Sequence, residues 1–439
     1  MGIKVAKFGG SSVADVIQLQ KMKEIIYSDP ERRYVVVSAP GKRFEGDQKI
    51  TDLLYLCKTH MENNLPYDQI FQVVADRYVA VEFNLGVKVD LKKEFDEIKE
   101  HLKSDASEDY IASRGEYLNA VLIAAFLEYD FVDTAELIKF DKNGKLLLQE
   151  TDEAIKTELE KHEKAVLPGF YGSTPDGNIK TFSRGGSDIT GALVARAVGA
   201  DVYENWTDVS GFLMADPRIV KKPRQIESIS YKELRELSYM GASVLHEDAI
   251  YPARSADIPI NIRNTNRPED KGTMITAKEQ AVGNQIIAGI AGSKDFTVIA
   301  LYKNMMSSER GFVRKILGIL DDYNINFEHL PSGIDTVSVV MDNKSIAGRL
   351  DDVVEEFQTR LKPDSLEVYE NMALIATVGY KMSNKVGTSA RLFTALGNAG
   401  VNIRMIDQGS SEMNIIVGVE NKDFETAIRA IYDAFVVEE

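Results

Sequence analysis

The run Ser183-Arg184-Gly185-Gly186-Ser187-Asp188 joins a polar, glycine-broken loop to a small-residue helical pattern that stops at Gly199. Paired glycines let a backbone pass close to a ligand, because no Cβ stands in the way. A helix N-terminus adds unpaired N–H groups and a partial positive charge, and the two together suit an anion. Arg184 can fork onto a carboxylate or a phosphate. Asp188 sits where the helix begins and has two readings, helix cap or ligand-site group. A second run, Trp206-Thr207-Asp208, ends a strand-like segment from Val202, and Gly211 and Asp216-Pro217-Arg218 continue it as irregular loop. A third, Lys7-Phe8-Gly9-Gly10-Ser11-Ser12, closes an alternating strand from Ile3. Its glycine N–H groups can face a phosphate while Lys7 neutralises the charge. The competing reading of Lys7 is a solvent-facing strand lysine.

The elements that must carry these runs alternate between strand and helix. A helix is expected from about Val13 to Tyr27, then a near-continuous apolar strand from Tyr34 to Ser38, as a sheet buried on both faces requires. Ala39 to Lys49 is a polar loop, and Ile50 to Leu54 opens a helix with Thr51 as cap or ligand contact. Asp68–Phe83 and Leu91–Leu102 read as amphipathic helices whose charges form a solvated face. Ser113-Arg114-Gly115-Glu116 introduces a further helix, with Glu116 open to a plain role as a first-turn acid. Phe131–Asp133 and Val166–Phe170 are short strands, the second leading to a Gly172-Ser173 turn. Ser228 to Tyr239 is expected to be helical, His246 to be a packed or capping residue, and Pro259 to Arg263 to be a strand. This alternation indicates a three-layer α/β domain with a mainly parallel sheet, its ligand at the carboxyl ends of the strands.

The pattern changes between residues 278 and 285, and an internal repeat follows. Gly311 and Gly387 each precede a helix, an offset of 76 (387 − 311). The same offset carries Leu320 onto Leu396, Ile325-Asn326 onto Val401-Asn402, Val298–Ala300 onto Leu374–Ala376, and Ser338–Val340 onto Asn414–Ile416. Each copy reads strand, helix, strand, strand, helix, and such α+β units commonly pair through their edges. Ile286 to Gly292 is an extra strand, a candidate to complete the second copy's sheet and so nest one repeat inside the other.

At 439 residues the chain is too long for one core. Its 44% hydrophobic and 27% charged residues are globular values. A net charge of −16 argues against nucleic-acid and anionic-membrane partners, so lysines and arginines in glycine loops carry weight. Cys57 is the single cysteine, which excludes an internal disulfide and a cysteine-rich metal site and leaves a buried small hydrophobe. No long apolar run spans a membrane, the first residues lack a signal-peptide core, and a cytoplasmic protein is expected. Neither a G-x-G, a Walker loop, an H-E-x-x-H nor a G-x-S-x-G occurs. If the chain handles nucleotide, it does so without the familiar loops.

These residues resemble the aspartate kinases. Lys7-Phe8-Gly9-Gly10-Ser11-Ser12-Val13 looks like that family's lysine-phenylalanine-glycine-glycine signature, with serine where threonine is usual. Ser183–Asp188, Trp206-Thr207-Asp208-Val209 and Asp216-Pro217-Arg218 follow in the family's order, and the C-terminal repeat is similar to its paired ACT domains. The resemblance covers essentially the whole chain. It implies an amino-acid-kinase-type three-layer αβα sandwich over residues 1–282 and a regulatory region of two ferredoxin-like ACT repeats over 283–439, about 296–366 and 370–439. It also implies transfer of the ATP γ-phosphoryl group to the β-carboxylate of L-aspartate. Lys7, Gly9, Gly10 and Asp188 are then catalytic, and Thr51, Glu116, Arg184 and Ser187 bind substrate. Lys7, Gly10, Ser11, Thr207, Asp208, Asp216 and Arg218 bind nucleotide, with Mg²⁺ held by phosphate oxygens and water rather than by protein ligands.

By the same resemblance an end-product amino acid, lysine ahead of threonine, binds Met305, Ser308, Arg310, Gly311, Phe312, Asn326, Phe327 and Glu328. The subunits form a homodimer or tetramer through the ACT units. The chain departs from the family at Leu213, where tyrosine is common, at Ser243 and Glu247, in place of lysine and proline, and in a longer Ala39–Lys49 loop. The alternatives are a kinase of a related acidic amino acid and an amino-acid sensor with impaired catalysis.

Overall fold

Strand β1 (Lys4–Phe8) lies in the middle of an eight-stranded sheet. The computed structural model describes residues 2–104, 106–183, 185–241, 247–277 and 285–437. Two units divide the chain. One holds residues 1–212, 225–231 and 244–280; the other holds 213–224, 232–243 and 281–439. The 282/283 division expected from sequence falls outside the described residues.

In the first unit β2 (Arg32–Val37), β3 (Asp130–Phe131) and β4 (Ala165–Pro168) extend the sheet to one side of β1. β7 (Val202–Thr207), β9 (Ile260–Asn264), β10 (Thr273–Thr276) and β8 (Ser228–Ser230) extend it to the other. Only β9 and β10 pair antiparallel, so the sheet is mainly parallel as expected. Strand order reverses about β1, which makes its carboxyl end a crevice where ligands gather.

The period of two sorts the residues of β1. Ala6 and Phe8 join the core formed with α1 (Val16–Tyr27) and α5 (Glu108–Leu127), while Lys7 faces the opposite layer, where α7 (Gly186–Ala197) packs. A satellite core ties α2 (Ile50–Glu62), α3 (Asp68–Leu85) and α4 (Leu91–Lys103) to α5 and buries Cys57 completely.

Four local expectations are corrected. Ser113–Glu116 does not begin a helix: α5 begins at Glu108, capped by Ser107, whose hydroxyl accepts from the Tyr110 N–H at 3.1 Å. Glu116 therefore lies in the helix interior. Gly172 and Ser173 are not a turn but part of β5 (Tyr171–Ser173), in a hairpin with β6 (Ile179–Thr181). Ser228–Ser230 is β8, paired parallel with β10, and only Tyr231–Tyr239, α8, is helical. On α3 the charges are not all solvated, because Arg77 is buried.

In the second unit β11 (Gly289–Tyr302) and β13 (Ser365–Val378) run antiparallel through the centre of a five-stranded sheet, flanked by β12 (Thr336–Asp342), β15 (Asn414–Glu420) and β14 (Met405–Asp407). Gly289–Ser293 pairs with Leu374–Val378, and Val298–Tyr302 pairs with Ser365–Tyr369. Each long strand thus pairs with both copies' strands. Phe296 pairs with Met372, its own equivalent one repeat later. Beside them Asp295 and Asn371, also 76 apart (371 − 295), both adopt positive φ, at 70° and 59°. Helix α10 (Phe312–Asp322) buries Phe312, Ile316, Ile319 and Leu320, a stripe spaced as one helix face requires. The first copy's middle strand is reduced to isolated bridges, His329 to Val340 and Ser332 to Val337.

Beneath β1 lies a buried ion pair. Arg32 Nε donates to Glu204 at 2.7 Å, and Trp206 Nε1 donates to the same oxygen at 2.9 Å. Removing one partner strands a buried charge, so Glu204→Ala should cost about 3–5 kcal/mol in urea unfolding, whereas Arg32→Met with Glu204→Leu should cost less than the single change. A Glu204→Ala loss no larger than that of the double variant would contradict this.

Candidate active site

The Lys7 side chain is buried, 6% exposed for the residue, and its Nζ lies 2.5 Å from Asp188 Oδ1. The solvent-facing reading therefore fails. Gly185, at φ +60°, takes the N-cap position of α7, which leaves the Asp188 carboxylate for other partners. Asn205 Nδ2 donates to Asp188 Oδ1 at 2.9 Å, and the Tyr203 hydroxyl donates to the Asp188 carbonyl at 3.1 Å. Asn205 sits opposite Lys7 in the β1–β7 register. Sequence reading passed over it, although asparagine inside an apolar strand is rare and, once buried, demands partners.

After Phe8 the chain turns through Gly9 into a 3-10 turn, Gly10–Val13, so α1 starts at Val16 rather than Val13. The Gly9 N–H donates to the Trp206 carbonyl at 3.0 Å and the Ser12 N–H to the Gly9 carbonyl at 2.9 Å. Ser12 Oγ also reaches Trp206 O at 3.4 Å and accepts from Thr265 Oγ1 at 2.8 Å. The turn is thus fastened to β7 from below, with Ser11 left exposed. Trp206 itself is core: it stacks on Phe8 at 5.9 Å and lies under Arg263. Thr207 and Asp208 follow at the strand end, joined by a 3.2 Å hydrogen bond.

Glu116 reaches the same crevice from α5, where Asn119 Nδ2 donates to the Ser38 carbonyl at 2.7 Å and holds the helix against the exit of β2. One carboxyl oxygen of Glu116, Oε2, is buried without a hydrogen-bond partner among the described residues. Burial pushes its pKa up to about 8, against a backbone hydrogen bond from Ala39 and the nearby Lys7 and Arg114 charges. Arg114 is occupied elsewhere, over the rings of Tyr110, Tyr117 and Tyr171. Ser187 is buried in the first turn of α7 against Gly169, where any Cβ would lie 2.7 Å from its Oγ. Thr51 is half-buried in α2, with Lys49 at the N-cap, so Thr51 is not the cap.

The structure thus gathers Lys7, Gly9, Gly10, Ser11, Glu116, Ser187, Asp188, Thr207 and Asp208 at the carboxyl ends of β1, β2, β4 and β7. Arg184, Ser243 and His246 lie outside the described residues, and so does the side chain of Glu247. Asp216 and Arg218 belong to the second unit, paired with each other at 2.6 Å, and Arg218 is 88% exposed. Among the expected effector residues Met305, Ser308, Arg310, Gly311, Asn326 and Phe327 are exposed around the start and end of α10, and Phe312 is buried. Glu328 accepts a hydrogen bond from the Tyr239 hydroxyl within the same unit.

The raised carboxyl makes a pH prediction. The folded chain keeps the Glu116 proton up to about pH 8, whereas an unfolded glutamate loses it near its ordinary value of 4.5. Between these values the native state binds more protons, so this group lowers stability as pH rises. Glu116→Gln should therefore gain melting temperature relative to the parent from pH 5 to pH 8. A difference that stays constant over that range would refute the assignment.

Residues 2–264 match the amino acid kinase family, and residues 375–435 match the ACT domain. The chain is 37% identical to aspartokinase 3 of Bacillus subtilis over 99% of its own length and 98% of that protein. The crystal structure of Clostridium acetobutylicum aspartate kinase superposes with a TM-score of 0.92 at 53% identity, covering 99% of this chain and 100% of that one. Escherichia coli aspartokinase III, solved with aspartate and ADP and with lysine and aspartate, gives TM-scores of 0.71 and 0.74 at 27% and 26% identity. Those two comparisons cover 98% and 99% of this chain and 99% of each relative. Identity at this level across nearly the whole of both chains shows common membership: the chain belongs to the aspartate kinases, members of the amino acid kinase family that carry C-terminal ACT domains.

Proposed function

We propose that the chain transfers the γ-phosphoryl group of ATP to the β-carboxylate of L-aspartate, giving 4-phospho-L-aspartate and ADP. The observation that carries this reading is the meeting of Lys7 and the Gly9–Ser11 turn with the buried carboxyl of Glu116, whose Oε2 has no hydrogen-bond partner among the described residues. The first pair suits a phosphoryl group, and Glu116 suits an ammonium. A carboxylate nucleophile is already ionised at neutral pH and needs no general base. Catalysis then rests on in-line placement and charge neutralisation. Lys7 neutralises the transferring group, and Asp188 holds Lys7. Glu116, ionised by its proton's release to solvent, pairs with the α-ammonium. Arg184 forks onto substrate carboxylate beside Thr51 and Ser187, while Thr207 and Asp208 serve the nucleotide. Mg²⁺, carried by the phosphate oxygens and water, supplies further charge neutralisation.

In this reading the ACT pair gives feedback control by lysine. Escherichia coli aspartokinase III has been solved with lysine, and here the lysine ammonium would meet Glu328 in place of the Tyr239 hydroxyl. The open edge of β14 at the rim of the sheet is the surface through which subunits would join as a dimer or tetramer. Among the described residues no helix is long and apolar enough to cross a membrane, which is compatible with cytoplasmic biosynthesis.

The test is ADP release with Mg-ATP and L-aspartate, alone and with lysine, threonine or both. Aspartate-dependent release inhibited by lysine is expected. Release driven by another acidic amino acid, or none with lysine still raising the melting temperature, would replace the reading with a different kinase or a sensor. Lys7→Ala should abolish turnover without unfolding, and retained turnover would remove Lys7 from the chemistry. Because Tyr239 competes for Glu328, Tyr239→Phe should lower the lysine concentration needed for half inhibition; an unchanged value would exclude the Glu328 contact.

A further inference from the structure

The Ala39–Lys49 loop carries an arginine clasp that the reaction as described leaves unexplained. Arg77, from α3, is buried at 8% exposure. Its Nη2 donates to the Gly41 carbonyl and its Nη1 to the Gln48 carbonyl, both at 2.8 Å, so one guanidinium ties the two ends of the loop together. Its counterion is distant, with Asp47 at 3.7 Å from Nη1, and the Asp47 carboxylate is already forked by Arg43 at 2.9 and 3.0 Å. The guanidinium is therefore spent on two main-chain carbonyls.

The loop held in this way touches both halves of the site. The Gly41 N–H donates to the Gly10 carbonyl at 2.9 Å. A Cβ on Gly41 would lie 2.7 Å from the Gly10 carbonyl carbon, so the two backbones are in direct contact. A trans peptide is planar, and its N–H points opposite to its C=O. Fixing the Gly10 carbonyl on Gly41 therefore fixes the following Ser11 N–H to point away from the loop. Two residues before Gly41, Ala39 gives its backbone hydrogen bond to Glu116.

We propose that Arg77 is a positioning residue for phosphoryl transfer: by clasping the 39–49 loop it sets the direction of the Gly10–Ser11 peptide and the place of Glu116. The proposal rests on reading the Gly9–Ser11 turn as the phosphoryl site. An error of about 1 Å in such a group can cost about 100-fold in rate, so Arg77→Ala should lose kcat on that scale. Melting temperature should fall as well, because two buried hydrogen bonds are lost, but the rate loss should exceed what that fall explains at a temperature where the variant is fully folded. Millimolar guanidinium should restore part of the lost rate, and Arg77→Lys, able to reach one carbonyl at a time, should fall between. Hydrogen exchange gives a readout that does not need turnover: the Gly41 amide should exchange faster in Arg77→Ala than in the parent.

An Arg77→Ala protein with unchanged kcat, or a loss that guanidinium leaves untouched and that follows the melting temperature, would overturn the proposal. If the parent shows no aspartate-dependent turnover, the kinase reading fails and the exchange arm decides alone, with unchanged Gly41 exchange overturning the clasp. If Arg77→Ala does not fold, Gly41→Ala carries the test with Arg77 intact. It should show the same kcat loss, and an unchanged kcat would overturn the idea.

Discussion

A lysine ammonium at the buried end of the central strand must be neutralised, and much of the first unit is arranged around that need. The 2.5 Å contact with Asp188 satisfies it. To supply the aspartate, a helix has to begin at the end of β4, which is why Gly169 can bear no side chain beside Ser187. Asp188 in turn is oriented by Asn205, which the parallel register of β1 and β7 places opposite Lys7. The strength of such a pair is its liability, because an uncompensated charge in a low dielectric costs several kcal/mol.

The buried polar layer under the sheet extends the same logic. Arg32, Glu204 and the Trp206 indole satisfy one another, and Arg263 lies over the same ring. Trp206 is held so firmly that its carbonyl is a fixed acceptor for Gly9 and Ser12. The glycine turn inherits its geometry from a core tryptophan rather than from its own sequence.

How far the sequence reveals this depends on whether a group's role is local. Lys7, the glycines after it and Asp188 announce themselves, since glycine where a backbone must come close and charge at a strand end are short-range signatures. The repeat was legible for the same reason, as a fixed offset of apolar and glycine positions. Ser228–Ser230 was not, because its strand character comes from pairing with Met274–Thr276, far along the chain. The start of α5 is obscured for a different reason. Ser107 followed by Glu108 and Asp109 is a legible cap with first-turn acids, but Gly115 within the helix resembles a break in the pattern. Arg77 shows the limit of periodicity: on a helix wheel it is one more surface charge, and only the fold brings the two ends of a loop to it.

The shared strands of the C-terminal sheet have a consequence for how such a protein can be inherited. Residues 289–293 and 365–369 each lie on one copy's long strand yet complete the sheet of the other, and the two meet about the Phe296–Met372 pair. No cut between the copies leaves both with their full set of strands. A duplicated module usually keeps the freedom to be shuffled singly from gene to gene. Here that freedom has been surrendered, and the pair can be gained, lost or transplanted only as a single piece.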